Sequence, residues 1–107
     1  FKDLTSNGNR VVAVDEKSVV KAFGTATGAI IWDQKDLKLR KLTSPASISN
    51  LIAVGDYDGY VHLLNAQSGN FEGREKVSRN PITEIISNGN FLLIVDAAGR
   101  VQKFSVE

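Results

Sequence analysis

The residues of this chain that could perform chemistry are few and widely separated. Histidine occurs once, at His62, and cysteine is absent, so these residues contain neither a His/Cys zinc constellation nor a His-activated cysteine nucleophile. His62 stands mid-strand between Val61 and Leu63, and we interpret it as a polar strand position. We therefore expect no catalytic residue and no metal ligand in this chain.

Two aspartates precede a glycine in the run from Asp56 to Gly59, which superficially resembles part of a calcium loop. Such a loop needs further oxygen ligands and a bidentate acid at its twelfth position, where Gln67 stands. A hairpin turn explains both aspartates. The glycines read as turn residues, and none opens a helix after a strand as a phosphate cradle would. We expect no cofactor.

The segment from Lys35 to Lys41 alternates leucine with basic residues and allows two interpretations. It is either a connector with solvated charges or a docking edge. In the second interpretation leucines supply apolar contact and an arginine pairs bidentately with a partner carboxylate. That interpretation predicts a protein-binding site at Leu37, Leu39 and Arg40.

Length and charge restrict the classes of partner. With 107 residues, 42% hydrophobic and 23% charged, the chain fits a single packed domain over residues 1–107. The net charge of +1 provides no field for nucleic acid or a membrane surface, so we expect neither as a partner of these residues. The chain has no methionine and starts at Phe1, from which we expect that its N-terminus was removed.

The chain repeats itself at spacings of 41 and then 40 residues, as its asparagine column shows. Aspartates and valines form two further columns, and His62 shares a column with Lys21 and Gln102. The aligned sets are Asn9, Asn50 and Asn90; Asp15, Asp56 and Asp96; and Val20, Val61 and Val101.

Each repeat predicts strands. The Asn-Gly pairs at residues 7–8 and 88–89 predict hairpins with type I′ turns, and the apolar runs that follow predict strands covered on both faces. Four strands per roughly 40 residues form a propeller blade. We predict an all-β partial β-propeller of about two and a half four-stranded antiparallel blades, at residues 1–33, 42–77 and 82–107, with four, four and three strands.

The run from Ala22 to Trp32 resembles the signature of quinoprotein-type propeller repeats, in which a Thr-Gly turn precedes a tryptophan. The resemblance implies that Trp32 docks one blade on the next. The second repeat keeps Ser68-Gly69 but has Gly73 where the tryptophan would stand.

Three stretches are also similar to the end of the propeller lipoproteins that serve the machinery inserting β-barrels into the outer membrane of Gram-negative bacteria. They are Leu42 to Pro45, Val54 to His62, and Gly99 to Val101. The resemblance implies the last third of an eight-bladed ring, ending at its natural C-terminus. It implies a non-enzymatic scaffold at the periplasmic face of the outer membrane, lipid-anchored through a segment not present here. The implied partners are a barrel-assembly subunit and unfolded outer-membrane proteins.

Two other functions stay open. The same repeat builds quinone-dependent dehydrogenases, although their cysteine pair and acidic metal ligands are not visible here, and it could also build an extracellular sensor or adaptor. The third repeat stops after its third strand, Arg100 to Val106, so its outer edge lacks a partner strand. We expect this chain to self-associate.

Overall fold

The structure is a computed structural model and describes residues 4–106. Within that range the regular secondary structure consists of β-strands alone. The first sheet contains β1 (Leu4–Asn7), β2 (Arg10–Val14), β3 (Val20–Gly24) and β4 (Ile30–Gln34). The second contains β5 (Ala46–Ile48), β6 (Leu51–Gly55), β7 (Tyr60–Asn65) and β8 (Phe71–Lys76). The third contains β9 (Ile82–Ser87), β10 (Phe91–Asp96) and β11 (Val101–Ser105).

Each sheet is a meander in which consecutive strands pair antiparallel, in the orders β1-β2-β3-β4, β5-β6-β7-β8 and β11-β10-β9. This confirms the predicted all-β partial propeller with four, four and three strands. Because a propeller ring needs at least about four blades, three sheets form part of a ring. The predicted blade boundaries and the single domain over residues 1–107 stay predictions.

The sheets pack face to face through two apolar cores. The first core joins sheets one and two and contains Val12, Val14, Val20, Ala22, Trp32, Leu37, Leu42, Ile52, Val54, Leu64 and Ala66. The second joins sheets two and three and contains Ala46, Ile48, Ala53, Val61, Ile82, Ile85, Leu92 and Ile94. The second sheet lies between the other two, so its strand β6 has both faces covered: Ile52 and Val54 belong to the first core and Ala53 to the second.

The hairpins predicted at the two Asn-Gly pairs are present, but their predicted type I′ turns are wrong. A type I′ turn needs two consecutive residues with positive φ, and here only Gly8 (60°) and Gly89 (94°) have it. Asn7 stays in β1, paired with Arg10. Its side-chain amide donates to Ser47 Oγ at 2.7 Å in the second sheet, which keeps the residue in the strand.

The aspartate column builds one turn three times. Each carboxylate Oδ1 accepts hydrogen bonds from the backbone N–H groups two and four residues later, at 2.8–3.0 Å. The residue three positions later has positive φ; these residues are Ser18 (65°), Gly59 (90°) and Gly99 (82°). We call Asp15, Asp56 and Asp96 the turn aspartates. Their second oxygen, Oδ2, remains available for another partner.

Candidate functional site

The connector between the first two sheets, residues 35–45, is fixed to both sheets by backbone hydrogen bonds. The Leu39 N–H donates to the Lys17 carbonyl at 3.1 Å, in a turn of the first sheet. The Tyr57 N–H donates to the Arg40 carbonyl at 3.0 Å, in a turn of the second. The connector is therefore positioned by the two turns that it crosses.

The structure separates the three residues predicted to bind a partner. Leu37 is only 2% exposed and belongs to the core between the sheets, so it offers almost no surface to a partner. Leu39 is 82% exposed, and Arg40 is about one-third exposed. The docking role itself stays a prediction, in which Leu37 can contribute only by supporting the connector from below.

Leu39 is presented to solvent by an uncommon backbone conformation. Its φ is 66°, and Lys41 has a φ of 53°; both values lie in the left-handed region that side chains other than glycine rarely adopt. Each such residue costs about 1–3 kcal/mol, a cost that proteins often retain at functional sites. The Lys41 Nζ lies 4.9 Å from the centre of the half-exposed Tyr57 ring. We call Leu39, Arg40, Lys41 and Tyr57 the docking patch.

Below this patch, Asp56 joins the connector to the second sheet. Its Oδ2 accepts a hydrogen bond from His62 Nε2 at 2.7 Å and lies 3.4 Å from a terminal nitrogen of Arg40. Its Oδ1 caps the turn after β6. Asp56 and His62 are both buried, so one carboxylate holds a turn, a strand residue and a connector residue together away from water.

The pKa shifts show which protonation states this cluster favours. Burial opposes ionisation of Asp56, but hydrogen bonds from His62 and the Tyr60 N–H outweigh it and lower its pKa below 3.8. Burial also lowers the pKa of His62 below 6.5; the positive charges of Arg40 and Arg74 act in the same direction, against the attraction of Asp56. The network assigns the imidazole proton to Nε2, facing the ionised carboxylate. The Nδ1 atom is then an acceptor, and it is buried without a hydrogen-bond partner among residues 4–106.

Sequence reasoning missed this pair because it treated His62 and Asp56 as separate features. The aspartate column and the His62 column are six residues apart, and this spacing was an available signal. The first sheet shows the same contact at these positions, because Lys21 Nζ lies 3.5 Å from Asp15 Oδ2. The third repeat departs from the pattern: Gln102 donates to the Val77 carbonyl, and Asp96 Oδ2 accepts from the Ser78 hydroxyl at 2.6 Å.

A cleft of about 530 Å³ opens between the connector and β8. On the connector side it is lined by Asp36, Leu37 and Arg40, and on the strand side by residues 71–74. His62 completes the lining. Gly73 contributes no side chain where a quinoprotein repeat would carry tryptophan. The register of β7 and β8 shifts next to it: Leu63 pairs with Gly73 but Leu64 pairs with Phe71.

Within this cluster, Asp56 positions His62 and Arg40 through its Oδ2 atom. His62 Nδ1 contacts no hydroxyl group as a hydrogen-bond partner in the described range. Among residues 4–106 no three His, Asp or Glu side chains are grouped as metal ligands would be. No helix in that range is long and apolar enough to span a bilayer.

Trp32 lies where the resemblance to quinoprotein repeats places it. Its indole N–H donates to the Ala66 carbonyl of the second sheet at 2.9 Å, and its ring packs over Gly69. A Cβ built on Gly69 would lie 2.4 Å from the ring, so only glycine allows this approach. Trp32 thus joins the first sheet to the second.

Comparisons with known proteins agree with this architecture. A sequence model described as outer membrane protein assembly factor BamB matches residues 1–105. BamB of Escherichia coli is 36% identical over 100 residues, which cover 92% of this chain and 26% of the relative. The crystal structure of BamB from Moraxella catarrhalis superposes with a TM-score of 0.93 at 36% identity, covering 99% of this chain and 32% of that chain.

A quinohemoprotein alcohol dehydrogenase from Comamonas testosteroni superposes with a TM-score of 0.67 at 17% identity, over 97% of this chain and 20% of that chain, which shows a shared fold alone. The chain spans between 15% and 32% of the length of the BamB proteins that it matches. Since the family match leaves only the last two residues uncovered and the agreement with a BamB structure is close, this chain belongs to the family of the outer membrane protein assembly factor BamB.

Proposed function

We propose that the protein is a non-enzymatic scaffold of outer-membrane protein assembly that binds other proteins through the loops of its propeller. The observation that carries this proposal is the BamB family match across residues 1–105. Relatives from Legionella pneumophila and Escherichia coli have the name outer membrane protein assembly factor. This chain covers 28% and 26% of their lengths, so the activity and partners of the whole protein are part of the proposal.

The proposed location is the periplasmic face of the outer membrane, with a lipid anchor outside these residues. The proposed partners are a subunit of the barrel-assembly machinery and unfolded outer-membrane proteins. In the proposed whole protein, residues 1–33, 42–77 and 82–107 are blades of one eight-bladed domain.

The partner contacts the docking patch in this proposal. Leu39 offers an exposed aliphatic side chain, Tyr57 an aromatic ring, and Arg40 and Lys41 offer cations. Aromatic and arginine side chains dominate the energetics of protein interfaces, and a fixed backbone lowers the entropy cost of binding. The hydrogen bonds of Leu39 and Tyr57 to the flanking turns supply that fixed backbone.

The test replaces Leu39→Ser and measures which proteins copurify with the tagged protein from solubilised outer membranes, identified by mass spectrometry. We expect subunits of the barrel-assembly machinery, reduced at least about fivefold in the variant because a central apolar anchor is lost. Val101→Ser is the matched control, since it also removes an exposed aliphatic side chain but lies on β11. Neither variant should change the melting temperature.

Equal capture by the wild-type and Leu39→Ser proteins would remove the docking patch from the interface. Recovery of no assembly subunit by the wild-type protein would contradict the scaffold function itself. A stoichiometric metal ion or quinone chromophore in the purified protein, detected by metal analysis and absorbance, would favour the quinone-dependent dehydrogenase instead.

A further inference from the structure

The face of the second sheet that lines the cleft carries a cluster of cations over aromatic rings. The Arg74 guanidinium lies 5.0 Å and the Lys76 ammonium 5.7 Å from the centre of the Tyr60 ring. His62, paired with Arg74 across the two strands, lies next to that ring. Strand alternation places these side chains on the same face.

In the part of the chain that the structure describes, Arg74 forms no ion pair with a carboxylate. The ion pairs found among residues 4–106 are Lys21–Asp15, Arg40–Asp56 and His62–Asp56, and Arg74 belongs to none of them. The carboxylate of its neighbour Glu72 accepts a hydrogen bond from Asn65 Nδ2 at 3.1 Å. Glu75 is paired with Val61, on the opposite face of the sheet. An exposed guanidinium that cation–π contacts hold in place is a preorganised site for a carboxylate.

The other side chains of the cleft determine which kind of residue can lie next to the bound carboxylate. Phe71 is 43% exposed and provides an apolar wall. Asp56 is already engaged by His62, Arg40 and two backbone N–H groups, so its charge is compensated within the cluster. Asp36 contributes the one further acid of the connector side. Of the charged side chains that line the cleft, Arg40 is paired with Asp56 and Glu72 accepts a hydrogen bond from Asn65, so Arg74 is the cation that remains without a carboxylate.

We propose that the cleft between the connector and β8 binds an acidic residue of an extended protein segment, with its carboxylate on Arg74 and an adjacent apolar side chain on Phe71. This inference names the chemistry of one partner contact and rests on the proposed scaffold function. The ligand is a protein segment because the site combines a single unpaired arginine with an aromatic wall. A polyanionic surface such as a phospholipid bilayer would also face the carboxylate of Asp36 and an overall charge of only +1.

The experiment measures fluorescence anisotropy of a labelled peptide, Ser-Leu-Glu-Leu-Ser, with the purified protein. The peptide should bind at least about tenfold more weakly to Arg74→Gln, because a carboxylate–guanidinium pair is lost. The same loss is expected when the glutamate of the peptide is replaced by glutamine. Arg79→Gln is the matched control: it removes an exposed arginine from the segment after β8, and Arg79 does not line the cleft. Circular dichroism spectra and melting temperatures of both variants should match those of the wild-type protein.

Equal affinity for the glutamate and glutamine peptides, equal affinity of Arg74→Gln and wild type, or no binding at millimolar peptide would each overturn the inference. Binding to phosphatidylglycerol vesicles that Arg74→Gln abolishes, without peptide binding, would assign the site to a lipid phosphate and would also overturn it. The capture experiment with Leu39→Ser is independent of these outcomes. If that capture succeeds while the peptide fails to bind, the scaffold function stands and the cleft inference falls.

Discussion

Burial and the cations around His62 lower the pKa of its imidazole, although a carboxylate lies 2.7 Å away. Moving the pair out of water removes much of the benefit of an ionic contact, so a buried His–Asp pair can be stable without a charged imidazole. Leaving Nδ1 without a partner adds to the cost of the site. The free energy of unfolding should therefore depend on the protonation of His62.

The first prediction concerns this pH dependence. The pKa of His62 lies below 6.5 in the folded state, so between that lowered value and 6.5 the unfolded chain binds more protons than the folded one. The free energy of unfolding should be constant above 6.5 and decrease as the pH falls from 6.5 toward the folded pKa. Since His62 is the only histidine, His62→Gln should abolish this decrease.

Urea unfolding, followed by circular dichroism at intervals between pH 7.5 and 5, measures this dependence. Glutamine can still donate a hydrogen bond to Asp56, so the variant retains the contact while losing the titration. A free energy of unfolding that rises on acidification, or an unchanged slope in His62→Gln, would show that the folded state favours the imidazolium.

The burial and the contacts of a single residue could be predicted from the sequence only where a local motif determines them. Leu37 and Leu39 alternate with the same basic residues, yet one is 2% and the other 82% exposed. A connector has no regular period, so residue spacing does not reveal which side faces the core. The role of Trp32 could be predicted because a recognisable turn precedes it. The bond between His62 and Asp56 was missed, because the spacing of their columns predicts it only when it is combined with the turn that brings β7 back along β6.

At the scale of strands and turns, the contact between neighbouring sheets depends on close approach of a ring to a backbone. Gly69 has a φ of 78°, and the Trp32 ring occupies the space where its Cβ would be. Gly89 has a φ of 94° but no atom within 4 Å of the corresponding position. Both glycines therefore need a positive φ, but of the two only Gly69 is packed against a side chain.

The second prediction compares alanine at these positions. Gly89→Ala should destabilise the protein by about 1–2 kcal/mol, the cost of a left-handed conformation in a residue with a side chain. Gly69→Ala should cost clearly more, because Trp32 must also move and lose its hydrogen bond to the Ala66 carbonyl. Chemical denaturation followed by circular dichroism gives both values. Equal destabilisation would mean that the ring does not restrict the turn.

Strands were more predictable than turns. The apolar runs before each turn aspartate identified β2, β6 and β10. Of these, β6 lies between two sheets and is buried on both faces, whereas β10 alternates buried and half-buried residues. The turn at Gly8 differs from its sequence-based expectation because Asn7 bonds to a neighbouring sheet, and local propensity contains no information on that contact.

At the scale of the whole molecule, large apolar side chains remain exposed on the two outer sheets. In the first sheet they are Leu4, Ile30 and Ile31, and in the third they are Ile86 and Val101. Strand β11 is also the last strand of its sheet, with no strand paired along its outer edge in the described range. Exposed apolar surface and an open strand edge both favour association with another chain.

The third prediction is that this chain self-associates at micromolar concentration. Light scattering should show a mass above that of one 11.6 kDa copy, and Ile31→Lys together with Val101→Lys should reduce it by charging both surfaces. The double variant should keep the circular dichroism spectrum of the wild-type chain. A monomeric wild-type chain would mean that these surfaces are too small or too polar to associate.

The fluorescence of Trp32 reports on the contact between the first and second sheets. It is the only tryptophan, its indole is almost completely buried, and its N–H is bonded across the boundary between the first and second sheets. Indole emission moves to longer wavelengths when water reaches the ring. A shift in that emission therefore records separation of these two sheets, whereas opening of β9 to β11 leaves the wavelength unchanged. Stopped-flow measurements can thus follow two events without an introduced label. The emission follows separation of the first two sheets, and the backbone ellipticity follows loss of the strands.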